Sequence, residues 1–183
     1  MHGPLGAPIR YDPAMHILDT ERLRLRQLQT EDTAFILELL NEPAFIQNIA
    51  DKGVRNLEDA IAYLRNGPLA SYERHGFGLY LVELKQGNTP VGICGVIRRE
   101  TLEHPDIGYA FLEKYSGRGY GYESAAAVLI YARQQLGLTR VVAITAPDNL
   151  ASIRILEKIG FIYQAMINLP DHASQSRYFV NEL

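Results

Sequence analysis

The chain has 183 residues, 47% hydrophobic and 21% charged, the balance of a single soluble domain that can bury about 70% of its open-chain surface. Eighteen basic residues against 21 acidic ones leave a formal charge of -3, so nothing in bulk draws the protein to nucleic acid or to an anionic membrane. The single cysteine, Cys94, excludes an internal disulfide and a thiolate zinc site, and the five histidines lack metal-ligand spacing, so no metal is expected and a reducing cytoplasm is the expected compartment.

Residues 1–13 hold three prolines and two glycines without apolar periodicity and read as a flexible leader, which leaves residues 14–183 as one domain. No stretch has the basic-then-apolar pattern of a signal peptide, and the longest apolar run, Ala125 to Ala132, is too short to span a bilayer.

Alternation of Arg22, Leu23, Arg24, Leu25 and Arg26 predicts a first strand over Glu21–Gln27 with one buried face. Thr30 ahead of Glu31 and Asp32 predicts a helix start, and Phe35, Ile36, Leu39 and Leu40 carry the helix to about Asn41. Asn56 before Glu58 and Asp59 opens a second helical region to Arg74, kinked or broken at Gly67–Pro68. Phe77–Leu84 and Val91–Arg98 then read as an antiparallel pair joined through Gly87 and Asn88.

Asp106–Leu112 is a further strand, followed by a glycine-dense loop, a helix over Glu123–Leu136 and a strand over Thr139–Thr145. Asn149 caps a short helix ending at Gly160, and Phe161–Ile167 and Arg177–Val180 close the chain as strands. The unit from Asp106 to Thr145 needs a parallel crossover, while the earlier strands run as a meander. The expected fold is therefore α/β (α+β), a mixed and mostly antiparallel sheet with helices on both faces.

Chemistry concentrates in Tyr115-Ser116-Gly117-Arg118-Gly119-Tyr120-Gly121-Tyr122-Glu123. Alternating glycines between a strand and a helix free successive N–H groups, the helix N-terminus adds partial positive charge, and Arg118 adds a cation, so an anion such as pyrophosphate suits the loop. A tight turn in which the glycines only supply positive φ fits the same spacing. No Gly-Lys-Ser/Thr follows, and a G-x-G-x-x-G count from Gly117 lands on Tyr122, which weakens the P-loop and dinucleotide alternatives. Without a G-x-S-x-G elbow, and with Cys94 inside an alternating strand, no covalent nucleophile stands out.

Ile107-Gly108-Tyr109, Tyr115, Gly117-Arg118-Gly119-Tyr120-Gly121 and Glu123 resemble the acetyl-CoA signature of the GNAT N-acetyltransferases. Asn149, Ser152, Glu157-Lys158 and Gly160-Phe161 follow in the family's order and, with Glu21 to Arg26, are similar to the ribosomal-protein N-terminal acetyltransferase branch. The likeness runs from about Leu18 to Val180. It implies a GNAT-like acyl-CoA N-acyltransferase fold and acetyl-CoA as cosubstrate. It also implies that the amides of Gly117, Arg118, Gly119, Tyr120, Gly121 and Tyr122 hold the CoA pyrophosphate, while a splayed strand at Ala110, Phe111 and Leu112 pairs with pantetheine. Asn149 would contact pantetheine and Ser152 the thioester sulfur; a helix N-cap and an inert first-turn serine are their simpler roles.

The tyrosine acid that some relatives carry on the last helix corresponds to Leu156 here, and their strand glutamate to Ile144. Asp106 is the first candidate base, ahead of Glu103 and His104, although the turn from Thr101 to Asp106 also reads as merely exposed. Ser152 is the candidate acid, and Tyr109 and Tyr120 read as packing residues with solvated tips. The expected activity is direct acetyl transfer in a ternary complex to a primary amine, on a protein N-terminus or a small molecule. The acceptor pocket is expected from Asn41–Arg74 and Asn168–Ser176, with Asp171 and Glu42 as amine contacts. Alternatives are a noncatalytic acyl-CoA-binding module and a phosphate-ligand-sensing module. No direct nucleic acid or membrane partner is expected, and the terminal strands offer an edge for a homodimer.

Overall fold

The structure, a computed structural model, describes residues 12–183; the segment read as a leader lies outside the described residues except for Asp12 and Pro13. Among the described residues eight strands form one sheet in the order β1-β2-β3-β4-β5-β6-β8-β7. They are β1 (His16–Asp19), β2 (Leu23–Gln27), β3 (Leu79–Leu84), β4 (Thr89–Ile97), β5 (Asp106–Phe111), β6 (Arg140–Thr145), β7 (Ile162–Ile167) and β8 (Ser176–Glu182). All neighbours are antiparallel except β5 and β6, the crossover that the strand-helix-strand order requires.

Among the described residues six α-helices cover the two faces: α1 (Thr33–Leu40), α2 (Pro43–Asn48), α3 (Leu57–Leu64), α4 (Ala70–His75), α5 (Tyr120–Gln134) and α6 (Leu150–Lys158). On one face Ala125, Val128 and Ala132 of α5 and Leu156 of α6 pack on Leu23, Leu25 and Val96. On the other, Ile36 and Leu39 of α1 and Ala60 and Leu64 of α3 pack on Leu81 and Ile93. The sheet is mixed, mostly antiparallel and helix-covered on both sides, as the sequence pattern predicts.

Several boundaries differ for physical reasons. The predicted first strand begins only at Leu23, because Glu21 and Arg22 lie in the connection from β1, a strand too short and half-buried to show periodicity. Leu23 and Leu25 are fully buried as expected, yet so is Arg26 on the opposite face. Its guanidinium donates to both oxygens of Asp32 (2.9 and 2.8 Å) and to Glu83 (3.4 Å), which satisfies a charge that burial alone would forbid. That anchor also delays α1: Thr30–Asp32 forms a 3-10 turn, and the α-helix starts at Thr33. The second helical region is not broken at Gly67–Pro68. A π-helical turn over Arg65–Leu69 widens the backbone around the proline, and the chain continues into α4.

Helix α5 starts at Tyr120, three residues before the predicted start, because Gly119 takes the left-handed conformation (φ 82°) that an N-cap here demands. Close backbone approach explains Gly95, where a Cβ would collide with the Gly78 carbonyl oxygen of the adjoining strand end. Among the described residues no helix is long and apolar enough to cross a membrane, and no His, Cys, Asp and Glu cluster suits a metal ion. Cys94 is fully buried, and burial pushes its thiol up to about 12, so it packs rather than reacts.

Candidate active site

The crossover opens the site. Strands β5 and β6 share a single ladder pair, Asp106 with Val142, beside the bond from Val142 N–H to Pro105 O (2.9 Å). Beyond Asp106 no ladder pair joins them, so the remaining edge of β5 borders a cleft of about 660 Å³. Gly108 to Phe111 of β5, Ile144 of β6 and Ser152 of α6 line this cleft.

At one end stands the glycine loop. Gly117 (φ 73°) and Gly119 (φ 82°) are left-handed, whereas Gly121 is helical and leaves space for Ile155 Cδ1, 3.0 Å from where a Cβ would stand. The Glu123 N–H is the first to close a helical bond, onto Gly119 O at 3.0 Å. The amides of Gly117 to Tyr122 have no protein acceptor among the described residues, the open donor array of a helix start. Arg118 and Tyr122 are exposed, and Tyr120 lies under the Arg22 guanidinium at 4.6 Å from its ring centre.

A clamp that the sequence did not reveal holds this loop. Glu123 accepts from Thr20 Oγ1 (2.6 Å), Arg22 N (3.0 Å) and Arg22 Nε (2.7 Å), and Arg22 Nη1 donates to Arg118 O (2.9 Å). Partial burial opposes the Glu123 charge, but those donors outweigh it and hold the carboxyl below its usual range. The β1–β2 connection thereby fixes the first turn of α5.

Strand parity divides the site. Ile107, Tyr109 and Phe111 pack toward α5 and α6, whereas Ala110 packs toward the α1–α3 layer. The Tyr109 hydroxyl lies 2.8 Å from Ser152 Oγ and donates to Ser152 O at 3.2 Å. Burial lifts the Tyr109 pKa well above the usual phenol range, and the bond to Ser152 offsets only part of that rise. Asn149 caps α6 by accepting from Ser152 N–H at 3.3 Å, so its simpler role is present while it also lines the cleft.

Asp106 is buried to 1% exposure, unlike the rest of the turn before it. Burial pushes its carboxyl up to about 6, against the pull of Arg99, whose Nε reaches both oxygens at 3.0 and 3.1 Å. Asp106 and Arg99 both line the cleft; Glu103 and His104 do not. Ile144 and Leu156 present apolar surface there. Leu112 stands apart from Phe111: its N–H donates to Val91 O (3.0 Å), its carbonyl accepts from Tyr115 N–H (2.9 Å), and its side chain is buried. By strand alternation Ala110 likewise turns its backbone groups to Ile93 of β4. Asp171 lines the cleft, and Glu42 does not.

Comparison with known proteins agrees with this architecture. The chain is 31% identical to the uncharacterized protein YkkB of Bacillus subtilis over 156 residues, 82% of this chain and 87% of that one. It is 30% identical to the uncharacterized N-acetyltransferase YnaD of the same organism over 147 residues, covering 80% and 82%. Among solved structures, RimL, a ribosomal L7/L12 alpha-N-protein acetyltransferase in complex with coenzyme A, superposes with a TM-score of 0.79 at 18% identity, covering 92% of this chain and 98% of that one. An acetyltransferase from Agrobacterium tumefaciens gives 0.78 at 22% identity, with 97% and 100% covered. The sequence profile of the acetyltransferase (GNAT) domain matches residues 22–162, and the chain belongs to that family.

Proposed function

We propose that this GNAT enzyme transfers an acetyl group from acetyl-CoA to a primary amine, on a protein N-terminus or a small molecule, by direct attack in a ternary complex. The observation that carries this reading is the open amide array of Gly117 to Tyr122 at the end of the β5–β6 cleft. Those amides suit a pyrophosphate, and the backbone groups of Tyr109 and Phe111, which the β4 register turns to the unpaired edge of β5, suit an amide-bearing arm such as pantetheine. Ala110 and Leu112 take no part in that pairing, since their backbone groups are already bonded, those of Ala110 to Ile93 of β4. Asn149 borders the arm from the β6 side. Bound acetyl-CoA supplies an activated thioester carbonyl.

The chain's own groups divide the proton work. The Asp106 carboxylate, in the acid range near 6, receives the ammonium proton of the acceptor directly or through water. Ser152 Oγ gives a proton to the departing sulfur as the Tyr109 hydroxyl, 2.8 Å behind it, passes its own proton to Ser152 and takes one in turn from water, so that both hydroxyls end neutral. The resemblance to the ribosomal-protein branch supports a peptide or small-amine acceptor, and the chain's composition supports action in the cytoplasm.

Thermal unfolding of the purified protein with acetyl-CoA, CoA, ATP and NAD tests the assignment, because a ligand selective for the folded state raises apparent stability. Both CoA ligands are expected to raise the transition while ATP and NAD do not, and acetyl-CoA consumption is expected in an amine panel. A response to ATP or NAD with none to CoA removes the reading.

A further inference from the structure

On the α1–α4 side of β5 a second cavity of about 330 Å³ adjoins the cleft. Gly108 and Ala110 of β5 form part of its floor, and Phe45, Ile49, Leu79 and Ile93 supply apolar wall. Its charged lining has one sign only: Lys52, Arg74, Arg98 and Arg99, with no aspartate or glutamate. This is unexpected in a chain whose net charge is -3.

Three of these four cations have no carboxylate paired with them among the described residues. Arg99 pairs with Asp106, but Lys52, Arg74 and Arg98 have no ion-pair partner among the described residues. Arg98 Nη1 donates to a backbone carbonyl, that of Glu103, at 2.5 Å. Desolvation and then the Arg99 charge pull the Lys52 ammonium below its usual range, and Asp171 compensates only in part. Lys52, Arg74 and Arg98 are exposed side chains along this partly apolar space, and the Lys52 and Arg99 charges oppose each other, a repulsion that an entering anion relieves. Such a space disfavours an acceptor that brings further cations, as a polyamine does.

Resting on the acetyl-transfer reading above, we propose that this cavity is the acceptor subsite and takes small primary amines carrying an oxyanion, a carboxylate or a phosphate, with the amine toward β5. The apolar wall accommodates a short carbon chain between the two groups. Because the cations repel a second ammonium, the acid group sets specificity as much by excluding wrong amines as by attracting the right ones.

The test uses short ω-amino acids, each against its own amide, then phosphoethanolamine against ethanolamine, with spermidine and an acidic-N-terminus peptide as further arms. Binding to the CoA-saturated enzyme is measured by calorimetry and acetyl transfer by steady-state kinetics. The acidic partner of a pair is expected to show kcat/KM at least about tenfold higher, a preference that weakens with added salt. Combining Lys52→Ala with Arg74→Ala is expected to erase the preference chiefly through KM, and Arg74→Lys to restore part of it, with the CoA-induced thermal shift retained throughout. The amino acid and phosphate arms decide which oxyanion fits. Equal use of acid and amide, preference for spermidine, or turnover confined to the peptide overturns the proposal while acetyl transfer stands. Absence of any CoA response instead overturns the acetyl-transfer reading, and calorimetry with the acid–amide pairs still decides whether the cavity selects an oxyanion.

Discussion

Ser152 sits in the first turn of α6 with its hydroxyl 2.8 Å from that of Tyr109, two neutral donors in series at the cleft wall. Burial keeps Tyr109 protonated far above neutral pH, so it holds a proton in reserve rather than acting as a base. Ser152→Ala is expected to lower kcat about a hundredfold while changing CoA affinity little, the lower range for a lost proton donor. Tyr109→Phe is expected to lower kcat less, since Ser152 remains and water can restore its proton. A rise in CoA Kd with kcat preserved in Ser152→Ala makes the serine a binding residue instead. For Asp106 the charge state sets the sign: below about pH 6 the carboxyl is protonated and cannot accept a proton, so kcat/KM should fall toward acid with an apparent pKa near 6. Asp106→Asn should lower the rate and remove that acid limb; an unchanged profile excludes Asp106 as the base.

At the scale of elements, the loop before α5 works because its glycines and its clamp come from different parts of the chain. Gly117 and Gly119 supply left-handed backbone, and Glu123, held by Thr20 and Arg22, fixes the helix start from the β1–β2 connection. Glu123→Gln keeps the shape but loses the charge-assisted bonds from Arg22, so CoA Kd should rise several-fold, about 1 kcal/mol, by equilibrium titration. The substitution should alter kcat at saturating CoA much less. A CoA Kd unchanged in this variant would show that the loop holds its shape without the clamp. The glycine loop was legible in the sequence because local φ demands select glycine, and strand β5 because its apolar residues run together. The clamp was not, since it joins residues about a hundred positions apart and neither partner is unusual where it stands. Tyr109 was passed over for a related reason. Period-two counting assigns it a face, but only the placement of α6 over that face brings Ser152 to it. Strand β1 and helix α2 escaped notice because four and six residues carry too few positions to establish a period.

At the scale of the molecule, the seam between β5 and β6 is both the sheet's weakest ladder and the place where Asp106 is buried. An ionised carboxylate at 1% exposure opposes folding even with Arg99 against it, which is why its pKa is pushed up to about 6 rather than down. A carboxylic acid with a raised folded pKa binds its proton in the native state over a range where the unfolded chain has already lost it. Its contribution to stability is therefore favourable near pH 4 and declines as pH rises through 6. The full swing is about 3 kcal/mol, from about two pKa units at 1.36 kcal/mol each. Asp106→Asn keeps an acceptor for Arg99 and removes the ionisation. Urea unfolding of both proteins across this range should show the variant gaining on the parent as pH rises, with the gain levelling above about pH 7. A stability difference independent of pH would mean that Asp106 is not held above its unfolded pKa. If the gain appears together with the rate loss expected for the same substitution, the buried charge is a stability cost at the open seam, retained where a base must face the acceptor.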